Sequence, residues 1–180
     1  MNEDQDILEL LFDKNNPSDS FKILFTRYHK KIYWHARRMV IDHDDADDVT
    51  QNVFIKIWNG FSSFKQDSKL STWIFKITVN ETLNFIKSKK IKAALSFHDY
   101  ESVLANKISD DSVFSGTEIE RKLQKAILTL PTKQRQVFLL RYYDNMPYET
   151  MSEALGTSVG ALKASYHHAS TKIEKTIHTI

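Results

Sequence analysis

Apolar residues along this chain recur mostly at three- and four-residue steps rather than in alternation, the spacing of helices that bury one face. Phe21, Leu24, Phe25, Tyr28, Ile32, Ala36, Met39 and Val40 follow that rhythm, with Lys22, Arg27, Lys30, Lys31, Arg37 and Arg38 between them. They predict an amphipathic basic helix. The acidic run from Asp42 to Asp48 ends it and opens the next, with Asp44 as N-cap, because carboxylates in a first turn suit the positive end of the helix dipole. Val49, Val53, Phe54, Ile57 and Trp58 then point inward. Residues 59–70 read as a polar loop with embedded aromatics, and Ser71 as the cap of a helix running to about Lys90. That helix has two faces: Phe75, Val79, Thr82 and Ile86 on one, Trp73, Lys76, Asn80, Asn84 and Lys87 on the other. The second face carries groups able to track phosphates and stack on bases.

Beyond Lys90 the periodicity weakens and Ser, Asp and Asn become frequent, so residues 91–116 read as a flexible acidic linker, with order expected at Ala93 to Leu95 and Val103 to Ala105. A second domain begins near Thr117. Leu123, Ile127 and Leu130 place a helix that must stop before Pro131, and Val137, Phe138 and Leu140 place the next. From Asn145 to Ile177 the punctuation is that of a helix-turn-helix. Pro147 suits a helix start, Gly156 the left-handed position just past a helix end, and Ser158 the cap of a second helix. Leu162, Tyr166, Ala169, Ile173 and Ile177 form the apolar stripe of that helix, which turns Gly160, Lys163, Ala164, His167 and Thr171 outward, where such a unit meets a DNA major groove. The expected architecture is all-α: two small helical domains, residues 1–90 and 117–180, joined by the linker, the second containing the helix-turn-helix.

Composition narrows the function. The 180 residues are 41% apolar with only 4 Gly and 3 Pro, enough for a packed core, and the absence of cysteine excludes disulfides and thiolate zinc sites. No signal peptide or transmembrane run is visible, which fits a cytoplasmic protein. The formal net charge is only +2, but residues 21–41 carry +6, 42–52 carry −5, 53–95 carry +6, 96–120 carry −5 and 121–180 carry +5. Alternating blocks suit distinct faces for distinct partners, basic ones for phosphate and acidic ones for a basic protein surface. The histidines share no ligand spacing with other donor types, and no carboxylate pair converges with a nucleophile, so neither a metal site, a cofactor, a small-molecule substrate nor an enzyme is expected.

Three passages in order, DDADDVTQNVFIKIW at 44–58, FSSFKQDSKLSTWIFKITVNETLNFIKSKK at 61–90 and LPTKQRQVFLLRYYDNMPYETMSEALGTSVGALKASYHHA at 130–169, resemble the bacterial sigma-70 family in its extracytoplasmic-function (ECF) group. The resemblance implies an RNA polymerase sigma factor, a transcription initiation factor that regulates which promoters are read. Asp47, Asp48, Gln51, Asn52 and Ile55 would then bind core RNA polymerase. Phe61, Phe64, Lys65, Lys69, Trp73, Lys76, Asn80, Asn84 and Lys87 would bind and melt the −10 promoter element, since melting needs aromatic faces for unstacked bases and cations for the strand backbone. Ser158, Gly160, Ala161, Lys163, Ala164 and His167 would bind the −35 element as duplex. The resemblance also implies an anti-sigma factor as regulator, in the family often membrane-bound.

One departure from the family stands out. Arginines common there are replaced by Ser165, His168 and Ser170, leaving Lys163 as the fixed cation on the leading exposed turns. That weakens duplex binding by the isolated domain, since each phosphate contact contributes about 0.9 to the salt slope. It also keeps open a rival function, a sigma-like decoy that sequesters an anti-sigma factor.

Overall fold

The computed structural model describes residues 17–92, 97–110 and 117–179, and among them every regular element is helical. Helix α1 (Pro17–Val40) buries Leu24, Tyr28, Ile32, Ala36, Met39 and Val40 as its periodicity requires. Two of its residues depart from the expected sorting. Phe25 is 41% exposed and Arg37 only 1% exposed, because α1 is flanked on more than one side by other helices and its buried arc is displaced toward Arg37. The helix ends at Ile41, whose φ of 66° places a β-branched residue in left-handed space, a strain held by its fully buried side chain.

Helix α2 (His43–Gly60) is capped by Asp42 and not by Asp44: Asp42 Oδ1 accepts the backbone N–H of Asp45 at 3.1 Å. With several carboxylates in a row, the register set by Ile41 decides which one caps. Ala46, Val49, Thr50, Val53, Phe54 and Ile57 are buried. Trp58 does not join them; it is 50% exposed and meets Phe21 edge-on at 4.9 Å. A 3-10 turn (Phe61–Ser63) and a short loop lead to α3 (Leu70–Lys92). Ser71 lies inside the first turn of α3 rather than capping it, and buried Leu70 begins the helix.

The segment between the domains is not structureless. Helix α4 (Phe97–Asp110) buries Leu104 and Ile108 against α5 (Glu118–Leu128), and Lys107 pairs with Asp42. Val103 to Ala105 fall in this helix, while Ala93 to Leu95 lie outside the described residues. Helix α5 opens on a full capping box, Thr117 Oγ1 accepting from Glu120 N–H and the Glu120 carboxylate accepting from Thr117 N–H. Helices α6 (Thr132–Tyr142), α7 (Tyr148–Leu155) and α8 (Val159–Thr179) follow, with Pro131 and Pro147 in the N-cap positions of α6 and α7. The two halves of the chain pack on each other, α1 against α6 and α3 against α7, so that one apolar core runs from Leu24 through Ile86 to Leu130 and Ile173.

Candidate nucleic-acid interface

The chain enters the aromatic loop through Gly60, where an added Cβ would stand 3.3 Å from the Trp73 ring. Phe61, Phe64 and Trp73 then pack together, with Phe64 and Trp73 centroids 5.1 Å apart and Phe61 edge-on to Trp73 at 6.4 Å. Phe61 and Trp73 keep part of their surface in solvent. Phe64 is only 7% exposed, so it shapes the loop and presents no face to a base. Left-handed Gln66 turns the chain back, and Lys65 and Lys69 stand exposed on either side of it.

Along α3, Ile74, Thr78, Thr82 and Ile86 are buried in the first half of the molecule, while Phe75 and Val79 pack with residues of the helix-turn-helix. Lys76, Asn80, Asn84 and Lys87 form an exposed file. At about 1.5 Å per residue the file runs roughly 16 Å. Glu81 beside it is tied to Lys56, which removes a carboxylate that would repel a strand.

In the helix-turn-helix, Gly156 takes φ 62° and donates its N–H to Ser152 O, and Ser158 Oγ accepts the Ala161 N–H at 3.3 Å. Leu162, Ala169 and Ile173 are buried and Tyr166 stacks on Phe138 at 5.6 Å, which confirms the apolar stripe. Ser158, Gly160, Ala161, Lys163, Ala164 and His167 are all exposed. Ser170 faces the other way: its hydroxyl donates to Tyr166 O and it lines an apolar groove of about 320 Å³ with Leu123 and Phe138. An arginine there would not meet DNA. The sequence also hid a second cation beside Lys163. Arg141, at the end of α6, reaches the Tyr148 ring at 5.3 Å while Lys163 Nζ lies 5.8 Å from the same ring. No local signal marks this pair, because the two cations stand on different helices.

On α2 the acidic run divides in two. Asp42 and Asp45 are used inside the molecule, by Lys107 and Lys89. The hydrogen bond from Lys89 to Asp45 is the largest cause raising the lysine pKa. Asp48, Gln51, Asn52 and Ile55 remain exposed, Ile55 to 56%, with half-buried Asp47 beside them near His43. Asp47, Gln51 and Ile55 border a cavity of about 470 Å³ lined also by Phe21, Phe25, His29 and Phe54. An apolar hollow with a carboxylate and amide rim suits a helix carrying basic and aliphatic side chains. Phe25 and Trp58, read from the sequence as core, belong to this exposed surface.

The geometry has counterparts among known proteins. The chain matches Sigma-70 region 2 over residues 24–91 and Sigma-70 region 4 over residues 120–173. It is 27% identical over 175 residues to the ECF RNA polymerase sigma factor SigW of Bacillus subtilis, covering 93% of this chain and 94% of that one. To the ECF RNA polymerase sigma-E factor of Escherichia coli K12 it is 25% identical over 169 residues, covering 89% and 88%. Among solved structures it shares its fold with CnrH, determined with the cytosolic domain of CnrY, at a TM-score of 0.71 and 21% identity over 98% of this chain and 97% of that one. RpoE of Bartonella quintana, determined with the anti-sigma factor NepR, superposes at 0.68 with 20% identity over 88% and 96%.

Proposed function

Since the chain belongs to the sigma-70 family of RNA polymerase sigma factors and acts in transcription initiation, we propose how its surfaces divide that work. The exposed α2 face from Asp47 to Ile55, with the hollow beside it, docks on core RNA polymerase. The loop at Phe61 to Lys69 and the file Lys76, Asn80, Asn84 and Lys87 hold the separated −10 strand. Phe61 and Trp73 offer ring surface to unstacked bases, and the lysines offer charge to the backbone. The exposed face of α8 from Ser158 to His167 enters the −35 major groove. The observation that carries this reading is the α3 file: cations and amides at helical spacing, exposed beside a half-open aromatic cluster. No described helix is long and apolar enough to cross a membrane. The chain works with polymerase in the cytoplasm, and a protein of the anti-sigma class holds it in reserve, a reading supported by the complex of RpoE with the anti-sigma factor NepR.

Run-off transcription with purified core polymerase on a genomic fragment library tests the assignment. The chain should select discrete start sites. Lys76→Ala with Asn80→Ala should leave core binding intact, lose permanganate-reactive open complex, and recover activity on a premelted bubble template. Failure of the bubble to rescue would remove the melting role from this face. A chain that binds an anti-sigma protein but yields no transcript would be a decoy.

A further inference from the structure

Between Lys76 and Lys87, α3 carries a single charged residue, Glu81. It stands on the flank of the exposed file, with Asn84 one turn further along the same side of the helix. Its side chain is only 14% exposed, and its carboxylate accepts a hydrogen bond at 2.5 Å from the ammonium of Lys56, whose side chain is 56% exposed. Lys56 comes from α2, one turn before Gly60, where an added Cβ would meet the Trp73 ring. The pair therefore bridges the two helices beside both the aromatic cluster and the middle of the file.

The cations of α3 are unevenly deployed. Lys76 and Lys87 stand exposed at the two ends of the file. Lys89 is held by Asp45 and lies over the Phe85 ring. Between the ends, Asn80 and Asn84 carry no charge and Glu81 cancels Lys56. A strand laid along this face meets fixed positive charge at either end and a neutral stretch of roughly 16 Å between. Cations against phosphates bind any sequence alike, and only contacts to bases discriminate. An uncompensated cation in the middle would add one contact that carries no sequence information.

We propose that the Lys56–Glu81 pair sets the affinity of the −10 site: Glu81 withholds Lys56 from the strand backbone, so that a strand is retained only when its bases add to the hold of Lys76 and Lys87. The inference rests on the −10 reading of α3. Its consequence is selectivity in use. A promoter strand that already saturates the site gains nothing from a further phosphate contact, while poorly matched strands gain occupancy. Removing the charge of Glu81 thus blurs start-site choice, although it strengthens binding of every sequence by the same factor. A carboxylate that instead propped Lys56 toward phosphate would act with the opposite sign.

Glu81→Gln keeps the shape of the side chain and removes its charge. Holoenzyme assembled from the full chain and purified core polymerase is titrated, over a range of salt, with two labelled single strands of equal length. One carries the −10 sequence of a promoter from the run-off experiment and the other is scrambled. With Glu81→Gln the salt slope should steepen by about 0.7 for both strands, which extrapolates from 1 M to about fivefold tighter binding at about 0.1 M salt. The run-off library should then yield additional start sites with poorer −10 matches. Lys56→Met should weaken binding and flatten the slope, because it leaves the carboxylate facing the strand. Adding Lys56→Met to Glu81→Gln should abolish the gain. Misfolding would weaken binding in every variant, so opposite signs exclude it. An unchanged or flatter slope for Glu81→Gln overturns the proposal, as does a gain that persists without Lys56. Wild-type holoenzyme that binds neither strand overturns the −10 reading and the proposal with it, a result distinct from wild-type binding that Glu81→Gln leaves unaltered.

Discussion

Two glycines in the helix-turn-helix should respond to the same substitution with opposite sign. At Gly156 the backbone takes φ 62° and ψ 31°, and an added Cβ would meet nothing within 4 Å. The cost of Gly156→Ala is therefore conformational alone. An L-residue in left-handed space costs about 1–2 kcal/mol, and the stiffer unfolded chain returns about 0.4–1 kcal/mol. The net loss is roughly 1 kcal/mol by the same terms, and Gly156→Asn should lose less because its short amide tolerates this conformation. Gly160, in the first turn of α8, also has open space around its Cβ position but has no positive φ. Gly160→Ala should stabilise by about 0.5 kcal/mol, since only backbone entropy changes. Urea unfolding followed by circular dichroism, with m-values compared, reads all three variants. If Gly156→Ala costs nothing, the turn does not hold its left-handed residue. If it costs more than about 3 kcal/mol, a steric contact governs the turn and the reasoning fails.

Replacing Asp48 with Lys and Gln51 with Ala changes two exposed side chains of α2; pull-down of core polymerase should fall sharply while helicity is unchanged, and intact binding would clear this face of the role. His168 is exposed whereas Ser170 faces the groove, so His168→Arg should steepen the salt dependence of −35 duplex binding by about 0.9 and Ser170→Arg should not. At Asp42, burial is the largest single influence and works to raise the pKa. Hydrogen bonds from Lys107 and the Asp45 N–H, with the lysine charge, outweigh it and hold the carboxyl below its ordinary value. Its contribution is thus present above the unfolded pKa of about 4 and lost as pH falls through the folded one. Thermal melts of Asp42→Ala should lie about 1 kcal/mol below wild type at neutral pH, from the lost cap, and should converge with wild type in strong acid. Parallel curves down to the lowest pH would contradict the assignment.

Much of this molecule was written in local signals. The turn at Gly156, the cap at Ser158 and the stripe through Leu162, Ala169 and Ile173 depend on steric and hydrogen-bonding demands met within a few residues, so the sequence alone determined the helix-turn-helix and its outward face. The file from Lys76 to Lys87 was legible for the same reason, because helical periodicity sorts faces without reference to a partner. Tertiary structure decided what depends on contacts between distant elements. Periodicity predicts an apolar arc but not its width, so Phe25 and Trp58 stayed in solvent while Arg37 went inside. A run of carboxylates permits several caps, and the strained bend at Ile41 selected Asp42. Helix α4 formed in a stretch of weak pattern because Leu104 and Ile108 found α5 to pack on. The pairing of His35 with Asp144 and of Arg38 with Tyr143 has no trace in the sequence at all, since nothing in one half of the chain encodes where the other half will come to rest. Only the burial of a shared core brings those residues together.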